Sequence, residues 1–284
     1  MQLMKMQRIL PLQNSNNSKC NMDMFIKKAL LFLAIVAITI PVLVAGQTYA
    51  VIVGINQYSS SQVQNLQCTV NDAVAFSNYL KSENGGSVPA GNIYLLTNNQ
   101  ATRSNILSAM DKAFGRATDA DRIIFFFSGH GFQDHFVAYD TDADDYYGVV
   151  RALSFSDVKA KFKSSKAKTK LIFADACFAG SFKTTSNATH PSTSTSFKDV
   201  QVAVMMSCKD DEVSRENKES LNHGVFTYYL LQGLKGGADE DGNGRIIMYE
   251  IFKYVHDHVS KYTSNNQTPV MYGNFDIRLI VGTY

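Results

Sequence analysis

Tryptophan is absent from the 284 residues, proline occurs five times and cysteine only four times. Four cysteines are too few for a disulfide scaffold, and five prolines with 18 glycines exclude a collagen-like chain. Charge is scarce as well: 18% of the residues are charged and the formal net charge is +2. Because 45% of the chain is hydrophobic it can bury a core, which excludes wholesale disorder. No basic run or stripe marks a phosphate-binding face, so nucleic acid is not an expected partner. Function must therefore reside in particular side chains.

Long apolar runs are also rare, and the one near the N-terminus reads as an address. Met24-Phe-Ile-Lys27-Lys28 leads into an apolar run from Ala29 to Val44, broken by Thr39 and Pro41. A positive start, an apolar middle and the small residues Ala45 and Gly46 are the parts of a secretory signal, with cleavage before Gln47. A membrane anchor is the alternative, although a stable span wants about 20 apolar residues without an internal Pro. Residues 1–46 are thus expected to be a leader and 47–284 one exported domain, touching a membrane only through a retained leader. The leader holds five basic residues and one acidic, which leaves 22 basic and 24 acidic residues and a formal charge of −2. Cys68, Cys177 and Cys208 remain, an odd number in an exported chain, so at least one thiol should be free or reactive. A disulfide between Cys68 and Cys208 is one pairing an oxidising compartment would allow.

Beyond the leader, strand and helix patterns alternate. Strands are expected at 49–54, 93–96, 122–127, 171–174 and 200–206, and helices at 71–81, 102–114, 156–162, 226–234 and 247–261. Continuous apolar strands separated by amphipathic helices mean βαβ units, hence an α/β fold with a mostly parallel sheet covered on both faces. A Ser/Thr/Asn-rich stretch from Thr184 to Ser196 is too polar to pack and reads as an exposed loop over 184–199, between a larger and a smaller part.

In doubly wound sheets ligands bind beyond the carboxyl ends of the strands. Two such ends carry reactive groups: Ser128-Gly129-His130-Gly131, and Asp175-Ala-Cys177-Phe-Ala-Gly180. Singly, a Gly-His-Gly is a turn and a Cys after a strand is a small buried hydrophobe. Together, on successive strand ends, they hold the parts for acyl transfer: a thiolate nucleophile, an imidazole for the leaving amine, and backbone N–H groups for the oxyanion.

With these residues in view the chain resembles the caspase-like cysteine peptidases, and most closely their metacaspase and bacterial caspase-like branch. The resemblance runs through Tyr49-Ala-Val-Ile-Val-Gly-Ile-Asn56, Asn71-Asp72-Ala73, Phe127-Ser-Gly-His-Gly131, Asp175-Ala-Cys-Phe-Ala-Gly180, His223-Gly-Val-Phe-Thr227 and Gln267-Thr-Pro269. It implies a three-layer sandwich with a six-stranded sheet. His130 and Cys177 stand 47 positions apart, which matches the separation of about 50 seen in caspases. The resemblance further implies Cys177 as nucleophile, His130 as its partner, and the amides of Gly131 and Cys177 as the oxyanion hole. Asp72, Ser128 and Asp175 match an acidic substrate pocket, which would favour a guanidinium or ammonium and repel Asp. The expected reaction is cleavage of peptide bonds after Arg or Lys through an acyl-enzyme. Asp72 also suits the N-cap of the helix before Ala73, and Asp175 a strand-end hydrogen bonder. Thr69 stands where relatives often carry Cys, with Cys68 one position earlier, and Ala179 stands where many carry Ser. The alternatives are a clostripain- or legumain-like peptidase with a different pocket, and a catalytically silent binding module of the same fold.

No cofactor is needed for that chemistry, but calcium is suggested elsewhere. Asp239, Asp241, Asn243, Gly244 and Glu250 occupy positions 1, 3, 5, 6 and 12 of an EF-hand loop, with Arg245 at position 7, where the backbone carbonyl serves. Gly236-Gly237 breaks the incoming helix and the loop has no partner loop, so an Asp/Asn/Gly-rich connector explains it equally. A calcium here would brace the last helix. A second acidic group, Asp140, Asp142, Asp144 and Asp145, resembles part of the calcium site that activates metacaspases.

Overall fold

A computed structural model describes residues 46–132, 134–144, 148–176, 197 and 200–284. The chain divides between Ala45 and Gly46, and the described residues make up the C-terminal unit. The expected leader lies outside them apart from Gly46. Among the described residues no helix is long and apolar enough to cross a membrane.

The main strands are β1 (Thr48–Gly54), β2 (Ile93–Thr97), β3 (Arg122–Ser128), β4 (Thr169–Asp175), β5 (Ala203–Met206) and β6 (Val270–Gly273). The helices are α1 (Thr69–Lys81), α2 (Arg103–Phe114), α3 (Phe155–Ser164), α4 (Val225–Gln232) and α5 (Met248–Tyr262). The strands form one six-stranded sheet in the order β6-β5-β4-β3-β1-β2, parallel throughout except for β6 against β5. The α/β reading, with a mostly parallel sheet of six strands between helices, is the architecture found.

Alternate strand residues supply two separate cores, as the period of two requires. Val51, Val53, Phe125 and Phe127 face α2 and α3, meeting Ile106, Met110, Val158 and Phe162. Ala50, Ile52, Phe126 and Phe173 face the opposite layer, meeting Phe76 of α1, Leu230 of α4 and Val255 of α5. Phe76 stacks on Phe126 with ring centroids 4.5 Å apart, and burying each such ring is worth roughly 1.5–3 kcal/mol. Both faces are dry, which is why the strands read as unbroken apolar runs.

Three boundaries differ from the pattern-based expectation for local reasons. α1 begins at Thr69, two residues early, because the Asn56 side chain accepts from Thr69 Oγ1 (2.6 Å) and Val70 N (3.0 Å). Asn56 thus caps α1 from the loop after β1, and Asp72 lies inside the first helical turn. The N-cap reading of Asp72 is therefore corrected. β5 starts at Ala203, where its pairing with Leu171 of β4 begins, although Val200 and Val202 already face the α2/α3 core. α4 stops at Gln232 and passes into a wider turn, Gly233–Gly237, in which Gly236 adopts φ +112°. The antiparallel β6 had no signal in the apolar pattern, since Val270-Met-Tyr-Gly273 is too short to announce a strand.

Candidate active site

Strand register builds the site. Gly54 pairs with Ser128 and Ser128 with Asp175, so the carboxyl ends of β1, β3 and β4 are level. A Cβ on Gly54 would sit 2.4 Å from the Thr69 carbonyl, so glycine lets α1 approach β1 closely. That approach delivers Asp72 over the strand ends, fully buried.

Asp72 Oδ2 accepts from Ser128 Oγ (2.8 Å), and Oδ1 lies 2.8 Å from His223 Nδ1; the Gly224 amide reaches both oxygens at 3.1 and 3.2 Å. Asp175, 6% exposed, accepts from Thr227 Oγ1 (2.7 Å), Thr227 N (3.1 Å) and Ser214 Oγ (2.5 Å). Gln267 Nε2 in turn holds Ser214 Oγ (3.2 Å) and the Ser207 carbonyl (3.1 Å). The two carboxylates flank Gly224, where a Cβ would lie 2.2 Å from Asp175 Oδ2 and 3.1 Å from Asp72 Oδ2. Three hydrogen bonds hold Asp175 in place, so only glycine fits between them. Burial, reinforced by the charge of Asp72, pushes the Asp175 carboxyl up to about 7. Burial also raises Asp72, against the pull of its bonds to His223, Ser128 and Gly224. The buried pair resists holding two negative charges.

The three residues expected to form an acidic pocket are thus together. Asp175 is the strand-end hydrogen bonder that its position suggested.

His130 follows directly. Its amide donates to Tyr58 Oη (2.9 Å), and the two rings lie 5.3 Å apart. Its Nε2 lies 2.7 Å from the Gln64 carbonyl. A carbonyl only accepts, so Nε2 carries the proton and Nδ1 is the basic nitrogen. Burial lowers the His130 pKa, with the Gln64 carbonyl and Glu216 pulling the other way. The ring is therefore held neutral and ready to accept a proton. Gly131 opens a short strand, Gly131–Phe132, paired antiparallel with His135–Phe136. Cys177, with its expected oxyanion amide, lies outside the described residues, as does the expected loop apart from Phe197. Its neighbour Ala176 is buried and tied to Ser207, whose Oγ meets both Ala176 N and O at 3.1 Å.

Cys68 and Cys208 are both buried and not joined to each other. Burial, with Glu216 and Asp72 nearby, pushes the Cys68 thiol up to about 11, so Cys68 is an inert neighbour of the slot.

At the far end of the last helix, Asp239, Asp241 and Glu250 bring ligand oxygens within 4.8 Å of one another. Calcium takes oxygens at 2.3–2.6 Å, so about 5 Å between them fits one ion. Asn243 instead turns into the loop, accepting from Arg245 N (2.8 Å) and donating to Asp241 Oδ2 (2.8 Å). Arg245 is exposed, on a short strand paired with Ile280–Thr283. In the second acidic group, Asp140 caps α2 through Arg103 N (2.8 Å) and Asp142 faces Arg151 at 3.7 Å, while Asp145 lies outside the described residues.

Pattern reading assigned no role to His223, Thr227, Ser214, Gln267, Tyr58 or the Gln64 carbonyl. His223, Thr227 and Gln267 stand in motifs visible in the sequence. The Gln64 carbonyl had no signal, because every residue offers the same group.

The family model for the caspase domain, peptidase family C14, matches residues 47–278. A probable protease of a Desulfuromonadales bacterium is 26% identical over 262 residues, covering 78% of this chain and 31% of that protein. Metacaspase-1A of Aspergillus oryzae is 37% identical over 111 residues, covering 37% of this chain and 25% of that protein. The chain thus spans a third or less of these curated relatives. Among solved structures, caspase-1 of Spodoptera frugiperda superposes with a TM-score of 0.60 at 15% identity, covering 84% of this chain and 91% of that one. A Geobacter sulfurreducens protein superposes with a TM-score of 0.57 at 17% identity, covering 81% and 94%. These two establish likeness of fold.

Proposed function

The chain belongs to the caspase-domain family of cysteine peptidases, and from that premise we propose that it is an endopeptidase cutting after Arg or Lys through Cys177 and His130. The observation that carries the substrate choice is the pair of buried carboxylates, Asp72 and Asp175, on either side of Gly224 at the strand ends next to His130. A guanidinium or ammonium satisfies such a slot, whereas an acidic side chain adds a third negative charge to it.

In this reading the Cys177 thiol gives its proton to Nδ1 of His130, and the thiolate attacks the carbonyl carbon of the scissile bond. The electron pair moves onto the carbonyl oxygen, held by the amides of Gly131 and Cys177. Collapse breaks the C–N bond, and the leaving amine takes the proton from His130. Water, deprotonated by the same nitrogen, then hydrolyses the thioester. Gln64 supports this by holding Nε2–H, which keeps one tautomer and one ring orientation.

The leader supports action outside the cytoplasm. A calcium ion held by Asp239, Asp241 and Glu250 would brace α5 at its start, away from the reacting groups.

The test is hydrolysis of matched fluorogenic peptides ending in Arg, Lys, Asp or Asn by the parent and by Cys177→Ala. Turnover of Arg or Lys peptides, abolished in the variant, is the expected result. Cleavage after Asp or Asn would overturn the acidic-slot reading while keeping the nucleophile.

A further inference from the structure

We propose that His223 is a specificity-determining gate of the acidic slot: a basic side chain reaches Asp72 only by displacing the His223 imidazole. This deepens the function proposed above and rests on it.

The argument starts from what surrounds the carboxylate. Asp72 is 0% exposed, and its hydrogen-bond partners are Ser128 Oγ, the Gly224 amide and His223 Nδ1. Ser128 is 1% exposed and Gly224 is buried, whereas the His223 side chain is 22% exposed. Among the described groups bonded to Asp72, only the imidazole reaches solvent. The way in from outside therefore passes through the space its ring occupies.

The chemistry of the lone pairs agrees. A guanidinium binds a carboxylate best through two parallel bonds in the carboxylate plane. Gly224 spans both oxygens and Ser128 holds Oδ2, partners that are backbone or buried and have nowhere to go. His223 holds Oδ1 from the solvent side with a side chain that needs only a rotamer change to leave. On Asp175 the partners are Thr227, which holds Oδ2 through its amide and hydroxyl, and Ser214, which holds Oδ1. His223 itself sits on a two-residue strand paired with Glu216–Asn217, which fixes its backbone while leaving the ring at the edge.

A gate of this kind sharpens selectivity at the expense of affinity. A basic side chain replaces the bond it breaks with a charge-assisted one, whereas a neutral side chain cannot, so the slot stays shut to it.

The decisive comparison is between His223→Ala and His223→Asn in the full chain. Asn keeps a donor where Nδ1 stands but lacks the rest of the ring. With an Arg peptide, KM should fall about tenfold in His223→Ala, the change carried by KM and not kcat, with His223→Asn in between. Calorimetric binding of benzamidine to the same variants on a Cys177→Ala background gives the comparison without turnover. A weaker cation affinity in His223→Ala, restored by His223→Asn, would overturn the gate and make His223 a residue that holds Asp72 in place. Equal affinity in all three would also overturn it. Should His223→Ala fail to fold, His223→Asn decides alone, and an affinity no tighter than the parent's refutes the proposal. If the parent itself takes neither benzamidine nor basic peptides, the acidic-slot reading fails and the gate with it. If the parent takes them and the variants take them no better, the gate alone fails.

Discussion

Replacing Asp175 by Asn removes a charge from the slot while keeping its shape and an acceptor for Thr227. In the parent, burial and the neighbouring Asp72 raise the Asp175 carboxyl from 3.8 to about 7. A group whose folded-state value lies above its unfolded value adds stability in its protonated form. That contribution is complete below about pH 4 and drains away as the pH rises through about 7. Three pH units at 1.36 kcal/mol each come to about 4 kcal/mol, lost by the parent on the alkaline side. Asn cannot ionise and should lose none of it. For a domain of this size about 1 kcal/mol moves the melting temperature by 2–4 °C, so the gap between the two proteins should reach roughly 10 °C. The assay is thermal unfolding of Cys177→Ala and Cys177→Ala/Asp175→Asn from pH 4 to pH 8.5, the background substitution removing the proposed nucleophile from both proteins. The Asn variant should pull ahead from about pH 4, with about a third of the difference already present at pH 5 and the gap complete above about pH 7. Parallel curves across that range would refute the claim that the slot resists a second negative charge.

The remaining predictions concern the scaffold. Asn56→Ala removes the cap of α1, costing about 1 kcal/mol and lowering the melting temperature by roughly 3 °C, while Asn56→Asp keeps the accepting oxygen and should recover most of it. Millimolar calcium should raise the melting temperature of the parent. Glu250→Gln, which keeps an acceptor for the Ile247 amide, should abolish that rise; an unchanged response in the variant would exclude Glu250 as a ligand.

Much of the fold was legible because the sheet is covered on both sides. Arg122-Ile-Ile-Phe-Phe-Phe127 and Leu171-Ile-Phe-Ala174 read as buried strands because they are unbroken apolar runs alternating with helices that carried their own period. β6 was not legible, because four residues show no period and its place beside β5 depends on contacts far away in sequence. The start of α1 was misplaced because its cap comes from Asn56, 13 residues before Thr69.

The same division runs through the site. By itself the sequence determined which reactive groups stand at strand ends and that His130 and Asp175 follow successive core strands, because covalent order and apolar runs are local properties. Only the tertiary structure decided that Asp72 and Asp175 flank Gly224, that a carbonyl from Gln64 selects the His130 tautomer, and that His223 hydrogen-bonds Asp72. Those relations join residues up to 152 positions apart, and each depends on strand register and helix approach, which no local pattern encodes.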